Sequence, residues 1–285
     1  MAASAILFAL MNFFARLASS SAPWMTVGAV RALIGALVAI GVARMRGASL
    51  VANDRKAIFW RSVFGTAAMG TTFYALSSRT LPLGDTVTLL NLTPLFLALL
   101  APFVLREQTT AAVGLALLLS LGGVVLIVHP SFNWQDGATT VGPSAPVTAA
   151  VAVAAAFFAS IAMMMLRRVG KSESPEAIAV HFSLFAAVVM GVLSLFDLRL
   201  PTLRDAGLMV VAGVCAGFGQ LALTRAYTLE LAARVSGMGY LAVVTSALLG
   251  AAVLGERPSV AAVAGMALVV VGGLVVTFVR DAKQE

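Results

Sequence analysis

The sequence predicts an all-α polytopic membrane protein: ten transmembrane helices arranged as two inverted five-helix repeats. Three observations carry that reading. The 285 residues are 60% hydrophobic and only 11% charged, with a mean hydropathy of +0.99, against about 45–50% and 25% in soluble domains. At roughly 28 residues per spanning helix and loop the chain makes about ten crossings, which leaves no soluble domain of useful size. Finally, the apolar span from Gly84 to Glu107 (GDTVTLLNLTPLFLALLAPFVLRE) is echoed late in the chain from Ala233 to Glu256 (ARVSGMGYLAVVTSALLGAAVLGE). Strand alternation is absent, which disfavours a β-barrel.

Taken in order, the first spans are Ala2–Ala18 with a polar Asn12, Trp24–Arg44 with Arg31, and Ala57–Ser78 with Tyr74. The fourth, Gly84–Leu105, carries Asp85, Thr88, Asn91, Thr93 and Pro94, too polar and too proline-broken to be lipid-facing filler. Ala111–Val128 completes the first half. A Pro/Gly/Ser/Thr-rich linker, His129–Pro146, falls almost at mid-chain. The second half reads Val147–Leu166, Pro175–Phe196, Asp205–Thr228, Leu231–Leu254 and Val260–Val279. The domain reading is therefore residues 1–128 as one repeat, 129–146 as an extracytoplasmic linker, and 147–285 as the second repeat with a short cytoplasmic tail.

Charge gives the topology. The net charge of +7 sits mostly in short connections between apolar spans, so it is not a nucleic-acid footprint. With the N-terminus inside, about eleven Lys and Arg fall on the inner side, among them Arg44, Arg46, Arg55, Arg167 and Arg168, against about four outside (Arg79, Arg199, Arg204, Arg257). Both termini are expected to be cytoplasmic, in a multi-pass inner-membrane protein. The lone Cys215 permits no internal disulfide. No cleaved leader is expected, since the first residues lack a basic region and run straight into a span.

Sliding one half over the other makes the duplication explicit. Setting Glu107 over Glu256 places Asn91 over Tyr240 and Thr88 over Gly237, and the following helices end in LGGVVLIV (Leu121–Val128) and VGGLVVTF (Val271–Phe278). Five helices per repeat force opposite orientations, a recurrent plan of secondary transporters whose substrate site lies near the midplane between the repeats.

These features resemble the ten-helix, EamA-type branch of the drug/metabolite transporter superfamily. The likeness rests on Asn12-Phe13 with trailing Arg16, on Arg31-Ala32-Leu33 and Tyr74-Ala75-Leu76, and on a helix ending in Glu in each half (Arg106-Glu107; Gly255-Glu256-Arg257) followed by a helix with a late Gly-Gly. Within the superfamily the chain is similar to bacterial exporters of aromatic and other neutral amino acids, although Met11 stands where many relatives carry Trp. The resemblance implies a cavity lined by the first, third, fourth, sixth, eighth and ninth helices, with the fifth and tenth peripheral.

Pro94 offers no N–H to the carbonyl of Leu90, so an acceptor is freed near the bilayer centre, within reach of Thr88, Asn91 and Thr93. Gly237 and Gly239 beside Tyr240 weaken the matching span, and paired interruptions point to a binding site. The alternative is a kink held by interhelical hydrogen bonds. Arg31 lies about 10 Å deep at 1.5 Å per residue and either holds a substrate carboxylate or anchors to the interface or to neighbouring carbonyls. Arg16, Arg61 and Arg225 lie near helix ends and are expected to snorkel. His181 is a candidate for proton coupling or a helix contact. Gln220 is a cavity contact, or else Gly213 and Gly217 beside it form a packing pair. Phe13, Tyr74, Phe157 and Phe158 either stack on an aromatic substrate or pack. The expected substrate-binding set is thus Asn12, Phe13, Tyr74, Thr88, Asn91, Pro94, Phe157, Gln220 and Tyr240, with Arg31 and His181 for coupling or gating.

No Asp or Glu falls near the middle of any span, which argues against proton-driven export of cationic drugs and against a sodium site. No metal or cofactor is expected, and none of the hydrolase, metalloprotease or nucleotide-binding motifs is present. The expected function is export of small amphipathic metabolites, aromatic or other neutral amino acids foremost, by alternating access, with a small-molecule substrate and the bilayer as partners and a monomer as the unit. The competing readings are a proton-coupled multidrug, nucleoside or sugar transporter of the same superfamily, and a membrane scaffold or receptor.

Overall fold

The structure, a computed structural model, describes residues 1–105, 111–128, 144–170, 172–197, 199–229 and 238–281. Glu107, Gly237 and most of the mid-chain linker lie outside the described residues. The helices are α1 (Ala2–Ala18), α2 (Trp24–Arg46), α3 (Arg55–Ser77), α4 (Leu83–Leu90), α5 (Thr93–Leu105), α6 (Ala111–Val128), α7 (Ala145–Val169), α8 (Pro175–Ser194), α9 (Leu203–Leu229), α10 (Leu241–Val253), entered by a 3-10 turn at Met238–Tyr240, and α11 (Val260–Asp281). There is no strand among the described residues. α2, α7, α8 and α9 are each long and apolar enough to cross a bilayer unaided.

The fourth span, read as one helix interrupted at Pro94, is divided into two helices. Proline at 94 clashes with the preceding turn and withholds its N–H, so α4 stops at Leu90 and Pro94 falls in the first turn of α5, where a missing N–H costs little. The freed Leu90 carbonyl is taken by the Thr93 hydroxyl at 3.2 Å. Elsewhere local chemistry starts the helices where the chain re-enters the bundle. Asp54 caps the Ala57 N–H at 3.0 Å and Ser174 that of Ala177 at 3.1 Å.

Loop contacts define the two faces of the bundle. On the face carrying Met1, the near face, Glu173 accepts from the Asn53 and Asp54 N–H groups, both at 2.7 Å, and Arg46 pairs with Glu176 at 3.1 Å. On the far face Ser21 donates to Asp205 at 2.8 Å and Thr148 to Ser78 at 2.8 Å.

Packing follows the duplication. α1 packs on α9 as α3 packs on α7; α2 meets α8, α4 meets α10, and α6 meets α11. Each pair is matched by its counterpart when the halves are exchanged. With lipid on the outside, helix association rests on close van der Waals fit rather than on the hydrophobic effect, and small residues supply it. A side chain at Gly213 or Gly217 would strike Ile34 or Val38, so this pair seats α9 on α2. Gly123 and Gly265 meet backbone to backbone between α6 and α11. Leu33 and Leu37 on α2, Leu118 and Leu121 on α6, and Val188 and Val192 on α8 remain exposed. They form the face that lipid covers in a spanning bundle.

Candidate functional site

A cavity of about 260 Å³ opens inside the bundle, running from Met1 at the near face to mid-depth. This lies just under the roughly 300–1,000 Å³ usual for small-molecule sites. Its walls come from the first, third, fourth, sixth, eighth and ninth spans, joined by one residue each from the second and seventh, Arg31 and Phe182. No described residue of α6 or α11 lines it.

Of the expected residues, Asn12, Asn91, Pro94, Gln220 and Arg31 face this cavity. Asn91 caps α4; its amide nitrogen donates to the Val87 carbonyl at 2.8 Å, while Oδ1 points to Gly239 on the matching interruption. Its backbone N–H still bonds the Val87 carbonyl at 3.0 Å, so α4 itself sets Asn91 at the cavity wall, and the break redirects the chain that follows. Asn12 keeps a buried Oδ1 without a partner among the described residues. Gln220 reaches Thr224 at 3.4 Å. Both readings of its neighbourhood hold at once, since Gly213 and Gly217 pack on α2 and Gln220 faces inward.

The others sit elsewhere. Tyr240 is buried against Val243, Met266 and Val269, with its hydroxyl over Gly273 of α11, so the side chain turns away from the cavity. Thr88 donates to the Gly84 carbonyl one turn back at 2.7 Å. Phe13 belongs to the core around α1 and packs edge-on to Phe14 at 5.3 Å. Tyr74 meets Trp24 edge-on at 5.7 Å, and Phe157 meets Phe96 at 5.6 Å and Phe158 at 6.0 Å. These aromatics pack on one another. The His181 Nδ1 bonds the Ala177 carbonyl at 2.8 Å, and its ring borders a separate depression with Arg55 and Ser62.

Two arginines expected to snorkel do not. Arg61 is only 2% exposed. Its guanidinium lies over the Phe182 ring at 4.2 Å and extends back over Gly65, one turn further into the bundle, where any side chain would collide with it. It faces the same cavity as Arg31, which donates to the Met69 sulfur at 2.9 Å. The sequence signal for Arg61 is a charge about 9 Å inside the start of α3, deeper than a helix-end position from which a side chain snorkels.

Arg16 is also buried. Its Nη2 pairs with Glu256 Oε1 at 2.9 Å and donates to the Leu81 carbonyl at 2.7 Å. Glu256 Oε2 accepts the Leu83 N–H at 2.6 Å. Gly255 in the left-handed conformation (φ 67°) turns the chain so that the carboxylate folds back over Gly250. One carboxylate thus ties the end of α1, the start of α4 and the end of α10 together at the far face, beyond the cavity floor. Asp85, 3% exposed, lies in the same cluster.

No grouping of metal-ligating side chains occurs among the described residues. The arrangement is a mixed polar and apolar chamber, open toward one face and latched at the other.

Comparison with known proteins agrees. The pseudopaline exporter of Pseudomonas aeruginosa is 30% identical over 265 residues, 93% of this chain and 89% of its own length. Mouse solute carrier family 35 member G1 is 26% identical, covering 94% of this chain and 74% of its own. The riboflavin transporter of Vibrio cholerae is 25% identical over 69% of this chain and 63% of its own. A solved crystal structure shares the fold at TM-score 0.68 and 22% identity, with 99% of both chains covered. The sequence model of the EamA-like transporter family matches residues 1–129 and again 147–278, one match for each half of the duplicated bundle, and the chain belongs to that family of multi-pass membrane transporters.

Proposed function

We propose that the protein exports small amphipathic metabolites across the inner membrane by alternating access, with aromatic or other neutral amino acids as its reference substrates. The observation that carries this is the chamber between the two halves, polar at Asn12, Asn91 and Gln220 and apolar at Phe8, Met11 and Phe73. It is latched at the far face by Arg16 and Glu256. The excess of Arg on the near face supports a cytoplasmic near face and N-terminus, which makes this arrangement inward-open. The matched packing of the halves supports an inverted pair whose rocking exchanges the open end. A relative named as an exporter supports the outward direction. A chamber holding two arginines disfavours cationic drugs.

The test is counterflow in proteoliposomes: phenylalanine, threonine, leucine, a nucleoside and a cationic dye, each with and without a pH gradient. The expected result is amino-acid exchange across the sealed membrane. Dye flux that follows the pH gradient without amino-acid flux would replace this reading with a drug antiporter, and no flux of any solute would end it.

A further inference from the structure

Resting on the transporter reading, we propose that Arg31 and Arg61 form a two-point anion clamp, so that among small amphipathic metabolites a molecule with two acidic groups on an apolar body binds more tightly than a neutral amino acid.

Both side chains are almost wholly buried, 5% and 2% exposed, inside the apolar part of the bundle. A charge in such a place is ordinarily paired or in contact with water, because leaving it unpaired costs several kcal/mol. Here no carboxylate stands among the described residues that line the cavity. Carboxylates that do form ion pairs within the described bundle do so away from the cavity, Glu256 with Arg16 and Glu176 with Arg46. Arg31 Nε and Arg61 Nε and Nη1 have no hydrogen-bond partner among the described residues. The partners these arginines do have are weak acceptors: a thioether for Arg31 and an aromatic face for Arg61.

Geometry excludes the usual alternative, escape to the interface. Arg61 extends along α3 over Gly65, away from its own helix start, and Arg31 reaches Met69 near the middle of α3. Each arginine therefore reaches into the bundle from an opposite helix start, and the two are close enough for the charge of one to bear on the other. Two like charges that face one cavity, with no carboxylate among its described lining, are stabilised by an anion between them. Stacking on Phe182 fixes one face of the Arg61 fork and leaves its edge for an in-plane contact with carboxylate oxygens, the geometry guanidinium favours. Met11, Met69 and Phe73 supply the apolar wall for the rest of the molecule.

A zwitterionic amino acid satisfies one guanidinium and brings an ammonium toward the other; a dianion satisfies both. The test compares phenylsuccinate, an aromatic dicarboxylate, with phenylalanine on the full-length protein in nanodiscs, by equilibrium binding, and then in proteoliposome counterflow. The expected result is that phenylsuccinate binds the wild type at least about tenfold more tightly than phenylalanine, a difference of about 1.4 kcal/mol. R31Q and R61Q are expected to abolish that preference, and R61K to restore part of it. The wild-type comparison needs no variant, so a misfolded Gln variant leaves the test intact. Equal or tighter binding of phenylalanine, or binding of neither probe, overturns the clamp. Phenylalanine flux with no phenylsuccinate preference leaves the transporter reading standing without it, whereas absence of flux for every solute removes both.

Discussion

At the scale of single residues, the side chains that matter most are charges placed where the bilayer makes them costly. Arg16 and Glu256 show how such a charge is settled, by a close ion pair reinforced with the Leu81 carbonyl and the Leu83 N–H. Removing one partner of a pair this buried leaves the other uncompensated, at about 3–5 kcal/mol. R16A is therefore expected to lower the thermal midpoint of the purified protein and to make cysteines placed at the far face reactive to impermeant thiol reagents. The reversed pair R16E/E256R should recover part of the loss, and a midpoint for R16A equal to wild type would contradict the latch. At Asn91, alanine removes a capping amide and a cavity acceptor together. Loss of a hydrogen bond is worth about 0.5–1.5 kcal/mol, so N91A should cut counterflow severalfold, as initial rates will report.

At the scale of elements, the broken fourth span and the glycine seams set where everything sits. P94A returns an N–H to the Leu90 carbonyl, now held by the Thr93 hydroxyl, and lets α4 and α5 join. The expected outcome is a higher thermal midpoint with lower flux, because joining the helices redirects Thr93 and residue 94, which line the cavity; unchanged flux would show that the break is structural only. Gly123 and Gly265 allow α6 and α11 to touch, and both helices stand outside the chamber. G123L overpacks that seam at about 1–3 kcal/mol and is expected to lower stability while leaving the substrate affinity of the surviving fold unchanged, as equilibrium binding will show. Almost all of this scale was legible in the sequence: apolar run length and composition set ten spans, and most boundaries moved by three residues or fewer. The interruption of the fourth span was legible at Pro94 but the place of the stop was not, because proline disrupts the preceding turn rather than its own, and the helix ends at Leu90. The cavity was half legible. Asn12, Asn91 and Gln220 are polar groups with few ways to be satisfied in a span, and they face inward. Aromatic residues satisfy themselves by packing, which is why Phe13, Tyr74, Phe157 and Tyr240 gave no comparable signal. Arg61 was missed because snorkelling was inferred from distance to a helix end, and direction along the helix is set only by what the neighbours leave open, here Gly65 and Phe182.

At the scale of the whole molecule, the duplicated sequence becomes a bundle whose helix pairs exchange when its halves are exchanged. A chamber between them opens toward one face and is latched at the other. That combination is what alternating access requires, since a path open at both ends is a leak and one closed at both carries nothing. The central claim is that this chamber is the route of the transported molecule. Thr72 lines it, only partly buried, on α3, and T72W fills a large share of its volume from a position outside the latch and the helix seams. The direct measurement is counterflow of the best wild-type substrate through T72W in proteoliposomes, paired with its thermal midpoint. Flux reduced to the protein-free background with the midpoint close to wild type is the predicted result; wild-type flux through the filled chamber would contradict it.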